Sequence, residues 1–122
     1  LLTTSADLPL QEAVEGVTRL GGMAIPAHVN RRPFGLITNL GFVPVDLPVD
    51  ALEIFRHTNP AEAREKHPQL RDFALTQNGD AHHLSDLLGA NIFKLAAPTI
   101  AEIRLAFQKK DGRSLVIRPP IN

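Results

Sequence analysis

Apolar residues recur at helical spacing from Leu8 to Leu20: Leu10, Ala13, Val14, Val17 and Leu20 fall on one side, Glu12, Glu15 and Arg19 on the other. Asp7 is placed to cap this helix, Pro9 sits near its first turn, and Gly21-Gly22 stops it. Met23-Ala24-Ile25-Pro26-Ala27 follows as a short apolar run without polar alternation, which predicts a strand buried on both faces of a parallel sheet. Residues 29–36 have loop character and lead into a weak helical stretch through Leu40, after which Pro44 and Pro48 punctuate a connection.

A second strand is predicted within Val49–Phe55, around Ala51-Leu52-Glu53-Ile54-Phe55. Asn59 is the cap of a short helix opening at Pro60, and residues 67–73 form a second short helix with Pro68 in its first turn. Ala74-Leu75-Thr76-Gln77 is a third strand, ended by the turn signal Asn78-Gly79 and followed by the polar stretch Asp80–Asp86. Asn91-Ile92-Phe93-Lys94-Leu95 is a fourth. Thr99 caps an amphipathic helix over Ile100–Lys109, with Glu102 completing a capping box and Lys109-Lys110 complementing the helix dipole. Asp111-Gly112 turns the chain into a last strand, Leu115-Val116-Ile117, before Pro119-Pro120. Helices alternating with short apolar strands predict an α/β chain with mostly parallel strands. A closed parallel barrel needs about 200 residues or more, so this chain matches roughly half of one.

The 122 residues suit a single domain, and 43% hydrophobic with 21% charged residues is the balance of an ordinary globular chain. Thirteen basic residues offset thirteen acidic ones, which argues against a general nucleic-acid or membrane-surface binder. The absence of Cys excludes disulfides, thiolate metal sites, iron–sulfur clusters and Cys nucleophiles. With no Tyr, no Trp and six Phe, base-stacking platforms are not expected either. No apolar run reaches the roughly 18 residues that span a bilayer. The opening Leu1-Leu2-Thr3-Thr4 has neither an initiator Met nor a basic segment, so it reads as the interior of a longer cytoplasmic chain and not as a signal peptide.

In parallel α/β sheets, reactive side chains gather past the carboxyl ends of strands. That rule selects His28, after the Met23–Ala27 run, and Asp80-Ala81-His82-His83, after Ala74–Gln77. A carboxylate and an imidazole two residues apart can face one cation, and mixed O/N ligation suits Zn, Mn or Fe. The plainer alternatives are that Asp80 caps the next turn, His82 is polar surface and His28 is a hydrogen-bonded structural residue. Arg31 and Arg32 either grip a phosphate or lie on a solvated loop. His83 either reaches substrate as a proton donor or points into solvent. Glu53 is a charged residue inside a strand, which is uncommon, and either lines a polar mouth or sits on an edge. His57 and His67 read as surface. Gly21-Gly22 precedes a strand and so is not a phosphate-cradling loop, and Ser85 and Ser114 lack the setting of a nucleophile elbow.

Gly21-Gly22-Met23-Ala24-Ile25-Pro26-Ala27-His28, preceded by an amphipathic helix and followed by an Arg-containing loop, resembles the third motif of the PHP (polymerase and histidinol phosphatase) superfamily. Gly79-Asp80-Ala81-His82, with Leu84 and Leu87-Leu88-Gly89 after it, is similar to that family's fourth motif, usually Ser-Asp-Ala-His. The two stand in the family's order about 50 residues apart, and the resemblance spans about residues 8 to 108. It implies a partial β/α barrel, the carboxyl-terminal half of a distorted seven-stranded one, as a single partial domain over residues 1–122. It further implies a phosphoesterase that hydrolyses a phosphomonoester or phosphodiester with metal-activated water, using two or three divalent transition metal ions (Zn, Mn or Fe) in the complete domain. His28, Asp80 and His82 would be metal ligands; Arg31, Arg32 and His83 are the substrate-binding candidates, with a phosphorylated small molecule or a nucleic-acid end as substrate. Departures are Val29 where the family usually has Pro, Gly79 in place of Ser, and no His-x-His anywhere, so most of the family's ligands are not in this sequence. The chain by itself is therefore expected to be inactive and to self-associate through unpaired strand edges. The alternative is a degenerate domain kept as a structural or interaction module beside a polymerase or ATPase.

Overall fold

Leu52 and Ile54 are fully buried, and Ala51 beside them has no exposed surface either, so the strand that carries them is enclosed on both faces. In the computed structural model, which describes residues 6–44 and 46–118, this is β1 (Ala51–Ile54). The opening Leu1–Thr4 and the closing Pro119-Pro120 lie outside the described residues. Before β1 come the helices α1 (Leu10–Arg19) and α2 (Leu36–Leu40). After it come α3 (Pro60–Lys66), a 3-10 turn at Pro68–Leu70, β2 (Ala74–Gln77), a second 3-10 turn at Leu84–Asp86, β3 (Asn91–Lys94), α4 (Ile100–Gln108) and β4 (Ser114–Ile117).

The expected mostly parallel half-barrel is not what forms. The described residues make two short sheets of two strands each, neither closed. β1 and β2 are parallel, with Ala51 opposite Ala74 and Ile54 opposite Gln77. β3 and β4 are antiparallel, with Asn91 opposite Ile117 and Lys94 opposite Ser114. The burial patterns explain the difference. β1 and β2 are largely buried, polar Thr76 and Gln77 included, as suits a parallel pair, whereas β3 alternates Ile92 and Lys94 outward with Phe93 inward, the mark of an antiparallel pair with one wet face. Phe93 packs its ring against Phe107 of α4, centroids 5.8 Å apart.

Met23–Ala27 is not a strand. Pro26 has no N–H to give a ladder, and the backbone bonds from the 26–29 segment to β1 are the Pro26 carbonyl accepting from Glu53 N–H (2.9 Å) and the Val29 N–H donating to Glu53 O (2.8 Å). Between them His28 takes a positive φ of 33°, which breaks the register. The core gathers here: Val29, Val43, Leu52, Ile54, Ala63, Leu70 and Leu75 form one cluster, with Leu36, Ile37, Val49, Phe73 and Ile117 packed against it.

Local signals were mostly obeyed at α3 and α4. Asn59 Oδ1 accepts from the Ala61 N–H (2.8 Å), and Thr99 Oγ1 from the Glu102 N–H (3.3 Å). The return half of the predicted capping box fails, because Glu102 turns instead to the Ala96 N–H (2.8 Å) and to a forked pair with Arg113 (2.7 and 3.0 Å). Asp7 does not cap α1, whose N-cap is Pro9 and makes no side-chain bond. Residues 67–73 yield only the 3-10 turn at Pro68–Leu70, its carbonyls held by Arg64, which donates to Leu70, Arg71 (3.0 Å) and Phe73 (2.9 Å). Among the described residues no helix is long and apolar enough to cross a membrane.

The two sheets make different demands on the core. Leu52→Ala, at a fully buried site, is expected to cost about 2–5 kcal/mol in urea unfolding, and Ile92→Ala, at a site 40% exposed, less than about 1 kcal/mol. A larger loss at Ile92 would contradict the placement of β3.

Candidate functional site

β1 and β2 run side by side and end at the same rim, so the residues after Ile54 and after Gln77 meet there with the 26–29 segment. Glu53, one residue before the end of β1, is the meeting point. Its Oε1 accepts from the His28 N–H (3.3 Å) and its Oε2 from Asn78 Nδ2 (2.7 Å), so the carboxylate spans the mouth between the two segments that carry the predicted ligands. Asn91 ties β2 to β3 at the same end, with Oδ1 accepting from Gln77 N–H and Nδ2 donating to Gln77 O, each at 2.9 Å.

The loop after β2 is held by charge and by a lack of space. Arg56 Nη1 donates to the carbonyl of Gly79 (2.8 Å) and lies 3.6 Å from Asp86 Oδ1. A Cβ on Gly79 would fall 1.7 Å from the Asp86 carbonyl oxygen, so only glycine fits beneath this loop, and the family's usual Ser would not. Asp86 Oδ2 accepts from the N–H groups of His82 (3.1 Å) and His83 (2.9 Å). Those two backbone donors, helped by Arg56, hold the Asp86 carboxyl below the ordinary aspartate range. Asp80 follows Gly79 with a positive φ of 50°.

Of the predicted site residues, the structure brings Arg31 and Asp80 into contact, while His28 meets the rim through its backbone N–H on Glu53. Arg31 Nη1 forms an ion pair with Asp80 Oδ2, and its guanidinium lies over the Phe55 ring, 5.6 Å from the centroid. His28 Nδ1 is buried and has no hydrogen-bond partner. His82 is exposed, with Nδ1 2.7 Å from the Asp80 carbonyl oxygen. Since a carbonyl only accepts, Nδ1 is the donor in this contact, and in the neutral ring the lone pair is then on Nε2. His83 is exposed and shares an open depression with His82, Leu84 and Leu87. Arg32 is not brought to the rim: it is exposed and lines a separate cavity of about 540 Å³ with Asn30, Thr38, Lys66 and His67.

Among the described residues no three His, Asp or Glu side chains are grouped so as to hold a metal ion. Asp80 is paired with Arg31 and Glu53 with the His28 N–H and Asn78, while His28 Nδ1 stands alone, so the described residues do not by themselves make up such a site. Sequence reasoning left Glu53 undecided between a polar mouth and an edge, and it passed over Asn78, Arg56 and Asp86. A charge inside an apolar strand was the available signal for Glu53; nothing in the spacing marked Arg56. Comparison of the chain with family models, with curated proteins and with solved structures gives no match.

Two outcomes test this loop. Gly79→Ala is expected to destabilise the chain by about 1–3 kcal/mol or more in thermal unfolding, while Gly16→Ala in α1, where the nearest atom to a new Cβ is 3.9 Å away, stabilises it by up to about 1 kcal/mol. Because Asp86 titrates lower in the folded chain than in the unfolded one, its contribution is whole above the ordinary value of about 3.9 and is lost as pH falls through the lower folded value. The His82 and His83 amides should therefore keep slow exchange at mildly acidic pH and lose it on further acidification. Asp86→Asn should remove that acid transition.

Proposed function

We propose that this chain is part of a metal-dependent phosphoesterase of the PHP type, which hydrolyses a phosphomonoester or phosphodiester. The proposal rests on the two motifs around His28 and Asp80-x-His82 and is supported by the state of the two imidazoles. His28 Nδ1 is buried and unspent, and His82 is turned by its bond to the Asp80 carbonyl so that Nε2 offers a lone pair. A ligating histidine usually donates its second ring nitrogen to a carbonyl or carboxylate in this way, which orients the ring and raises its basicity.

In this reading His28, Asp80 and His82 contribute donors to a divalent site for Zn, Mn or Fe, and further donors come from outside the described residues. A divalent cation there would supply a lowered water pKa and neutralise phosphate oxygens. The chain's own part would be to orient those donors and to hold the phosphate, a role this reading gives to Arg31 beside Asp80 and not to Arg32, which lines a separate cavity. His83 stands beside the site on the open face, where it can meet the rest of a phosphorylated small molecule or nucleic-acid end. The proposal places the protein in the cytoplasm, where such substrates are found.

One observation favours the second reading, a degenerate domain used as a structural module. Arg31 already neutralises Asp80, which is how a carboxylate without a metal is kept satisfied. The protein at its full natural length separates the two. The phosphoesterase reading expects it to copurify with a transition metal and to hydrolyse p-nitrophenyl phosphate or its diester. His28→Ala and Asp80→Ala should each lower turnover about 100-fold or more with the circular dichroism unchanged. A preparation without transition metal that stays inactive after reconstitution with Zn, Mn or Fe would leave the structural module.

A further inference from the structure

A second gathering of charge lies away from the rim. The loop after Val29, α2 and the end of α3 surround a cavity of about 540 Å³, lined by Asn30, Arg32, Ile37, Thr38, Lys66 and His67. Its walls are fixed. Asn30 Oδ1 accepts from the Phe55 N–H (2.7 Å) and Nδ2 donates to Thr58 Oγ1 (3.1 Å), while Thr38 Oγ1 donates to the Arg31 carbonyl (3.0 Å). Ile37 is half-buried and packs against the core cluster. The backbone of His67 is held too, its N–H donating to the Ala63 carbonyl (2.9 Å) and its carbonyl accepting from the Leu70 N–H (2.9 Å). These bonds tie up Asn30 and Thr38 and leave the polar character of the lining to Arg32, Lys66 and His67.

The charge of that lining is one-sided. Among the described residues no carboxylate lines the cavity, and the four ion pairs take Arg31, Arg56, Arg104 and Arg113, not Arg32 or Lys66. Glu62 and Glu65, on the same helix as Lys66, are exposed and stand outside the lining, where solvent and salt screen them. The chain as a whole is neutral, yet two cationic side chains and an imidazole surround this one hollow with no carboxylate to balance them. We infer that the cavity is an anion site that takes a phosphate group, free or carried by a small organic molecule. A guanidinium fork matches two phosphate oxygens, an ammonium adds a point charge, and an imidazole N–H adds a further donor. A phosphomonoester carries close to two negative charges near neutral pH, which suits two cations better than a carboxylate does. The volume is that of a small-molecule site, so the Ile37 wall can also meet the organic part of an ester. The site needs no metal and stands apart from the phosphoesterase reading of the rim.

Calorimetric titration of the protein at its full natural length tests this, with inorganic phosphate and phenyl phosphate as probes, a chelator present and ionic strength held constant. The Ile37 methyl NMR signal is followed alongside. Both probes are expected to bind and to move the Ile37 signal, while that of Ile92, on the exposed side of β3, stays in place. Arg32→Gln and Lys66→Gln should each weaken binding about fivefold or more, and Arg19→Gln, which removes an exposed charge from α1, less than about twofold. All three side chains are exposed, so the circular dichroism should match the wild type. Tighter binding of the ester assigns the occupant to an organic phosphate lying against Ile37; equal or weaker binding assigns it to phosphate itself. Absence of binding overturns the site, and so does binding that leaves the Ile37 signal unmoved or survives both substitutions. An equal loss from Arg19→Gln also overturns it, because that marks a general effect of charge. Phosphate binding that is lost in Arg31→Gln and kept in Arg32→Gln overturns the cavity in favour of the rim.

Discussion

Glu53 holds its neighbours through both backbone and side chain. Its peptide groups bond Pro26 O and Val29 N on one side while its residue pairs with Thr76 of β2 on the other, and its two carboxylate oxygens take His28 N–H and Asn78 Nδ2. A single residue thereby joins a segment that is not a strand to a sheet that has only two. The arrangement is stable because both carboxylate oxygens are satisfied, which is the condition for keeping a charged group half-buried between apolar neighbours such as Leu52 and Ile54.

From that junction follows the position of everything chemically interesting. The 26–29 segment must leave the rim with His28 in a left-handed conformation, and the segment after β2 must leave it with Asp80 in another. Histidine and aspartate are among the residues that tolerate this region best, and such positions persist where the surrounding structure over-determines them. Here the surroundings do so: Gly79 is wedged under Asp86, Arg56 grips the Gly79 carbonyl, and Arg31 answers the Asp80 charge. The rim is therefore an edge of fixed polar groups, with the Arg31 side chain lying between Asp80 and the Phe55 ring.

Legibility was greatest where a local rule sufficed. β2 falls on Ala74–Gln77 as its apolar run and the Asn78-Gly79 turn predict, α3 starts behind Asn59, and α4 starts behind Thr99. It was least where pairing partners decide. Met23–Ala27 has the composition of a buried strand, yet Pro26 and the turn at His28 leave the 26–29 segment two backbone–backbone bonds to β1 and no ladder. Leu115–Ile117 was readable as a strand, and nothing local distinguished a parallel from an antiparallel partner. For the site, His28 and Asp80 are marked by their place after apolar runs, and Arg31 and Arg32 alike by following His28, yet Arg31 meets Asp80 while Arg32 lines a cavity with Lys66 and His67.

The amino-acid order alone determined where α3, α4 and β2 begin, because caps, turn signals and apolar runs act over a few residues. It also determined which residue types stand at the strand ends, and so the kind of chemistry within reach. Only the tertiary structure decided that the strands pair as two separate sheets, that Glu53 and Arg56 clamp the rim, and that Arg31 rather than Arg32 meets Asp80. Those outcomes depend on contacts between residues 23 to 49 positions apart, whose geometry is set by how the whole core packs and not by any spacing along the chain.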